Sequence, residues 1–482
     1  MVSLGKINLS EGNYKIFYNF ASMHLIPIYT WTKGYRNFGQ KNDSFIHKPW
    51  AQGVILLACV AVAMLLANLP ATKGIYRTIL ETPLAIQIGD YIFPQGMTVE
   101  KFINDILMVV FFFTVGLEIK REITYGELSS RKKAVMPVIA AFGGVIAPAL
   151  IYTAINAGTV ASSGWGIPTA TDIAFAVGIL SILGDKVPIS LKIFLTALAI
   201  ADDLIAILVV ALFYGGEINL TLLGCAAVLI FIIVLMNKLG EKRNWFYFIP
   251  AIGVWILFYY SGIHATMSGV VMAFLIPMKP RFTREYYYHK RDMLRRRLRE
   301  CEDPDSPEGF PNGPQRMILR QLSNTSLNCI GMSYRLEHSL GLWVNFVIMP
   351  IFALANAGVA VSSLEYFNVF QFDPNFGSVS MGIFLGLLLG KPIGITLASL
   401  LAVKSKLGTM PTGSDWKMLF AVACLGGIGF TMSIFVDTLS FGDHPEAAGQ
   451  LRDMGKVAVL MGSLAAGVLG SVLVNIFNKK RR

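Results

Sequence analysis

Charge is what this chain has least of. Charged residues make up 15% of its 482 positions, against about 25% in a soluble domain. Hydrophobic residues take 54%, and the mean hydropathy is +0.57. That shortage excludes an ordinary water-soluble enzyme and points to an integral membrane protein. Cysteine is scarce as well: Cys59, Cys225, Cys301, Cys329 and Cys424 are the full set, with no C-x-x-C spacing. Neither a disulfide framework nor a zinc site is expected. Residues 1–48 lack a continuous apolar core, so no signal peptide is expected there.

In place of charge there are long apolar runs. Twelve segments lie near 50–67, 102–118, 134–155, 165–183, 188–214, 220–236, 246–260, 263–277, 342–358, 379–403, 417–437 and 455–478. Most approach the ~20 residues that a spanning helix needs. The seventh and eighth are short and nearly continuous, divided at Ser261–Gly262. Loop charge tests the count. Alternate loops on the N-terminal side carry 33 Lys and Arg, and those on the other side carry 3. The positive-inside rule then puts both termini in the cytoplasm. The net charge of +11 follows from this bias and calls for no nucleic-acid partner.

The expected organisation is a cytoplasmic extension (1–48), a twelve-span domain (49–478) and a basic tail (479–482). The extension, "NYKIFYNFASMHLIPIYTW", reads equally as a segment on the membrane surface or a disordered lead-in. Two loops stand out. Within 81–96, on the outer side, "ETPLAIQIGDYIFPQG" has two β-rich runs flanking Gly89–Asp90, a pair suited to a tight hairpin turn. An isolated hairpin is marginal in water, so its edge is expected to pair with a second copy. The other loop, 279–341, holds "REYYYHKRDMLRRRLRE" and then the flexible break "CEDPDSPEGFPNGPQ". Its first part reads either as a basic helix on anionic lipid or as a solvated inside loop.

Four ionisable residues lie deep within apolar spans: Asp172, Asp202, Asp203 and Lys391. An ionised Asp at the centre of a membrane helix costs roughly 2.5–3.5 kcal/mol even on the lenient insertion scale. Successive helix residues point about 100° apart, so Asp202 and Asp203 cannot share one environment. One can face a partner while the other faces a cavity. Lys391, the only cation deep in a span, is the candidate partner for one carboxylate. A pathway for ions or protons accounts for the carboxylates left over.

Two of these spans are interrupted. "GWGIPTATDIAFAVG" puts Pro168, Thr169 and Thr171 ahead of Asp172, and "CLGGIGFTMSIF" carries Gly426, Gly427, Gly429 and Thr431. Each is the middle member of a three-span group, the third to fifth and the tenth to twelfth, in opposite membrane orientations. Paired interruptions in inverted repeats point to a transporter's central site. Asp172 is expected to balance the positive helix ends there and Lys391 the negative ones. The fold class is therefore all-α and polytopic, with twelve transmembrane helices, two interrupted helices crossing near the midplane, and a small external β-hairpin.

"TDIAFAVGIL", "ALAIADDLIAI", "SGIHATMSGV", "LLGKPIGI" and "GGIGFTMSIF" together resemble the NhaA family of sodium/proton antiporters, in the family's motif order over most of 50–478. The resemblance implies an electrogenic Na⁺(Li⁺)/H⁺ exchanger of the bacterial inner membrane. It would be a secondary transporter rather than an enzyme, with no cofactor beyond the transported ions. Asp203 would be the central carboxylate for sodium and protons, with Asp202 beside it and pairing with Lys391; Thr171 and Asp172 belong to the unwound span. The resemblance also implies a homodimer through the outer hairpin. Glu118, Arg121, Glu122, Glu337, His338 and His264 match positions of pH response, although His264 also reads as a packed, non-titrating residue. Tyr334 and Gly341 stand where relatives often carry Lys and His.

Other readings fit less well. Gly-x-Gly-Asp, the pattern of an intramembrane aspartyl protease, is absent around Asp172 and Asp202. A retinal-binding pump would use a buried Lys with Asp counter-ions, but twelve spans in inverted repeats argue against it. "GLLLGKP" mimics a phosphate loop with the wrong spacing, Pro where Ser or Thr is needed, and a site inside the membrane, so ATP has no role. A sodium-coupled symporter is the nearest competitor.

Overall fold

The computed structural model describes residues 50–88, 91–94, 96–216, 218–241, 243–301, 311–360, 368–370, 377–441 and 445–479. The expected N-terminal extension, the Gly89–Asp90 turn and most of the Pro-rich break lie outside them. The described residues form two compact units, one within 50–235, 247–275 and 340–479, the other within 236–246 and 276–339.

In chain order the helices are α1 (Ala51–Asn68), α2 (Pro70–Glu81), α3 (Val99–Thr124), α4 (Arg131–Asn156), α5 (Val160–Thr169, in 3-10 form), α6 (Ile173–Lys186), α7 (Ile189–Phe213) and α8 (Leu220–Lys238). There follow α9 (Trp245–Ser261), α10 (Thr266–Leu275), α11 (Arg284–Glu300), α12 (Gly313–Asn328), α13 (Met332–Asn356), α14 (Val379–Lys404), α15 (Trp416–Gly426), α16 (Phe430–Ser440) and α17 (Pro445–Lys479). Between α2 and α3, strands β1 (Ile86–Ile88) and β2 (Tyr91–Phe93) pair antiparallel, Gln87 opposite Ile92.

Eight of these helices are long and apolar enough to cross a membrane, and ten spans result if α5–α6 and α15–α16 each count as one bent span. Their outer faces are apolar too: Leu220, Val228 and Phe231 of α8 are exposed. A soluble monomer rarely exposes contiguous apolar patches of this kind. The protein is an all-helical, multi-pass membrane protein apart from the short strand pair.

Three local differences from the expected pattern have physical reasons. The seventh and eighth segments form helices of 17 and 10 residues, shorter than a full span. Gly262 ends the first of them with φ +83°, a left-handed turn that glycine adopts without a Cβ clash. His264 therefore lies in a turn, not in a helix. The chain expected as loop up to Gly341 is already helical from Met332, so Glu337 and His338 ride on α13. The basic stretch of the long loop is helix α11, N-capped by the Thr283 hydroxyl.

Two close crossings organise the larger unit. A Cβ on Gly143 of α4 would fall 2.3 Å from the Gly394 carbonyl of α14, and one on Gly394 only 2.1 Å from the Gly143 carbonyl. The two backbones are in contact. Likewise, a Cβ on Gly269 of α10 would meet the Val109 carbonyl of α3 at 2.4 Å. Small residues at helix crossings are how membrane helices approach closely.

Candidate ion-binding site

The site is built where both bent spans lose their helical bonds. Pro168 sits inside α5 and offers no N–H; the chain then runs extended through Ala170 (ψ 151°) and Asp172 (ψ 102°) before α6 begins. α5 and α6 meet at 41°, and α15 and α16 at 49°. The second break spans Gly427–Gly429, and Phe430 re-enters the helix at φ +21°, a conformation bulky L residues avoid.

The two breaks lie against each other and satisfy each other's backbone. The Asp172 N–H donates to the Ile428 carbonyl at 2.7 Å. The Asp172 carboxylate caps α6 by accepting from the Phe175 N–H at 3.2 Å. It also caps α16, accepting from the Thr431 N–H at 3.2 Å and from the Thr431 hydroxyl. The Ser463 hydroxyl of α17 accepts from the N–H groups of Gly429 and Phe430. Two positive helix ends thus point at one carboxylate, a favourable arrangement.

Asp202 and Asp203 sit mid-way along α7, both buried. Lys391 follows a π-helical turn, Gly386–Gly390, which leads directly into it. The Lys391 ammonium donates to Asp202 Oδ2 and to the Thr171 hydroxyl, with both charged side chains 0% exposed. The Thr171 hydroxyl has two acceptors in reach: Asp202 Oδ2 at 2.5 Å and the Gly426 carbonyl at 2.9 Å. It has one proton to give, so it serves one at a time. Among the described residues Asp202 Oδ1 has no hydrogen-bond partner. The Thr171 hydroxyl to which Lys391 donates is thus also in reach of a carbonyl at the C-terminal end of α15.

Asp203 is placed differently. Among the described residues no hydrogen bond or ion pair to its side chain is found, and it opens into a cavity of about 20 Å³ lined by Phe112, Ala170, Ile207, Met432 and Phe435. That is room for about one water.

The expected pH-response residues divide into separate places. On α3, Arg121 pairs with Glu122 at 2.9 Å and with Glu118 at 3.7 Å, and Glu122 Oε2 accepts from the Glu127 N–H. Glu118 is near enough for its charge to act on Asp203. On α13, the His338 ring lies parallel to that of Tyr334, with centroids 6.4 Å apart. The His264 carbonyl accepts from the Met267 N–H at 3.0 Å, closing the turn before α10.

Residues 43–474 match the family model described as Na+/H+ antiporter 1. The chain belongs to this family. It is 41% identical to the Na(+)/H(+) antiporter NhaA of Wolinella succinogenes, over 91% of this chain and 94% of the relative. The NhaA of Sulfurimonas denitrificans is 40% identical over 93% and 98%, and that of Escherichia coli 40% over 87% and 93%. The family match takes in both breaks and runs into α17.

Two buried charges escaped the sequence reading. Asp437 and Lys456 are 0% and 9% exposed. Each lies at the edge of an apolar segment, where a charge ordinarily marks the end of a span. Their burial comes from the packing of α16 and α17 with their neighbours, which the sequence does not display.

Proposed function

We propose that this protein is an electrogenic antiporter that extrudes Na⁺, or Li⁺ in its place, in exchange for protons, and so regulates cytoplasmic pH and sodium. The observation that carries this reading is the contrast between neighbours. Asp202 is tied to Lys391 and Thr171, whereas Asp203 stands unbonded at a cavity. An unpaired charge in apolar surroundings is costly, so Asp203 is best satisfied by either a proton or a desolvated cation. Binding one excludes the other, which is the elementary condition for exchange. The relatives, named as Na(+)/H(+) antiporters, support sodium and protons as the ions.

Alternating access would open this cavity to each side in turn, with the two breaks as the moving parts. Release of Asp202 from Lys391 would supply a second titrating group. Twelve spans follow if α9 and α10 are counted with the ten; α4–α7 and α14–α17 then form the inverted repeats, each with a bent span in the middle. The loop-charge bias supports cytoplasmic termini in a bacterial inner membrane. β1 and β2 would lie outside and join a second copy into a homodimer. Glu118, Arg121, Glu122, His264, Glu337 and His338 are the groups through which pH would set activity. No ATP is consumed.

The test uses purified protein in lipid vesicles containing a pH-sensitive dye. Addition of Na⁺ or Li⁺ should move protons in the opposite direction, and K⁺ should not. A requirement for an organic solute would favour a symporter and overturn the reading.

A further inference from the structure

On the same helix as Thr431, six residues on, a carboxylate stands without a hydrogen bond among the described residues. Asp437 of α16 is fully buried, and among the described residues neither of its oxygens has a hydrogen-bond partner. Six helical residues cover ~9 Å, which sets Asp437 apart from Asp172 and its caps. Val436 and Phe435, next to it in the chain, line the cavity into which Asp203 opens.

The charged and titratable groups around Asp437 come from three helices. α17 brings the positive charges of Lys456 and Arg452 and the negative charge of Asp453. None of these makes an ion pair with Asp437 among the described residues, and Arg452 Nε is itself unpartnered. α4 brings Tyr152, whose hydroxyl donates to the Ala161 carbonyl at 2.8 Å. The end of α7 brings Tyr214, whose hydroxyl donates to Ser163 O and accepts from the Gly166 N–H. Both phenols donate elsewhere. α5 packs on α16 as well, and its sequence, VASSGWGIPT, has no titratable side chain; nor has the facing stretch Met349–Asn356 of α13.

The space for this carboxylate comes from a missing methyl group. A Cβ on Gly455 of α17 would fall 2.0 Å from Asp437 Oδ1. A purely structural aspartate would be tied to its cations, because an uncompensated buried charge is strongly destabilising. Asp437 is instead held close to positive charge and left with both oxygens open.

We propose that Asp437 is a further proton-carrying group, a relay lying on the outward side of the Asp203 cavity. This rests on the exchange reading above and on the topology in which α16 runs toward the outside. A proton from outside water binds the Asp437 carboxylate and makes it a neutral acid. It then passes through intervening water to the Asp203 carboxylate once sodium has left, and Asp437 returns to its ionised form. Lys456 and Arg452 stabilise that form between transfers. One proton enters and one leaves, so no other reactant is needed.

The test compares Asp437→Ala combined with Gly455→Ala, which removes the carboxylate and puts a methyl group in the vacated space, with Asp437→Asn, which keeps the shape. Each purified variant is reconstituted in vesicles, and Na⁺-driven proton flux is measured as outside pH is varied. Thermal stability is measured in parallel. Both variants should keep the parent's Na⁺ dependence within about twofold while needing about tenfold more outside protons for half-maximal rate, a shift of one pH unit. An unmoved proton dependence in both, with or without a lowered melting temperature, would reduce Asp437 to a structural group and overturn the proposal. Asp203→Asn is run alongside. If it abolishes exchange while the Asp437 variants show no shift, the relay is discarded and the exchange reading stands.

Discussion

Lys391 donates to the carboxylate of Asp202, and neither side chain touches water. Removing one member of a buried pair leaves the other as an uncompensated charge, at a cost of about 3–5 kcal/mol. Lys391→Ala should therefore lower thermal stability in detergent markedly. Asp202→Asn together with Lys391→Ala should recover part of that loss, since both charges go at once. Strictly additive losses would show that the two residues are not coupled.

Thr171 links three partners through a single hydroxyl. Thr171→Val keeps the shape and removes the donor and acceptor, which should cost about 1–3 kcal/mol and raise the Na⁺ concentration needed for half-maximal exchange. Thr171→Ser should restore both. Melting curves and Na⁺ titrations on the three proteins check this, and a Val variant as stable as the parent would exclude the hydroxyl bridge.

The contact between Gly143 and Gly394 sets how close α14, and so Lys391, comes to α4. Gly394→Ala puts a methyl group where the Gly143 carbonyl already is, and should destabilise the protein by about 1–3 kcal/mol and slow exchange. Gly74→Ala is the control, because nothing lies within 4 Å of that position. Equal melting temperatures for the two variants would contradict the crossing.

Exchange should respond to voltage. If two protons return for each Na⁺, one net positive charge moves inward, and a potential of 100 mV contributes about 2.3 kcal/mol. An imposed potassium-diffusion potential, negative on the proton-receiving side, should accelerate exchange. Indifference to voltage would mean one proton per Na⁺, with the Asp202–Lys391 pair serving structure alone.

Much of this site was legible in the chain because membrane physics makes exceptions conspicuous. Pro168 ahead of Thr171, and three glycines before Thr431, mark places where a helix has to give up its bonds, and both spans bend there. That adjacent aspartates meet different surroundings follows from the 100° step of a helix. Which of them takes Lys391 does not follow, since it depends on how α7 is rotated against α14; the residues alone left that open. The reach of Asp172 to the Thr431 end of α16 was equally hidden, because 259 positions separate the two in sequence. Asp437 was hidden for another reason. The room for its carboxylate comes from Gly455, a residue whose only signal is the absence of a side chain.

The most direct measurement is Na⁺-driven proton release by Asp203→Asn in vesicles, with folding and insertion verified against the parent. The amide keeps the shape of the side chain but cannot trade a proton for a cation, so exchange should be abolished at every pH while thermal stability is retained. Exchange by a folded Asp203→Asn protein at the parent rate would contradict the account.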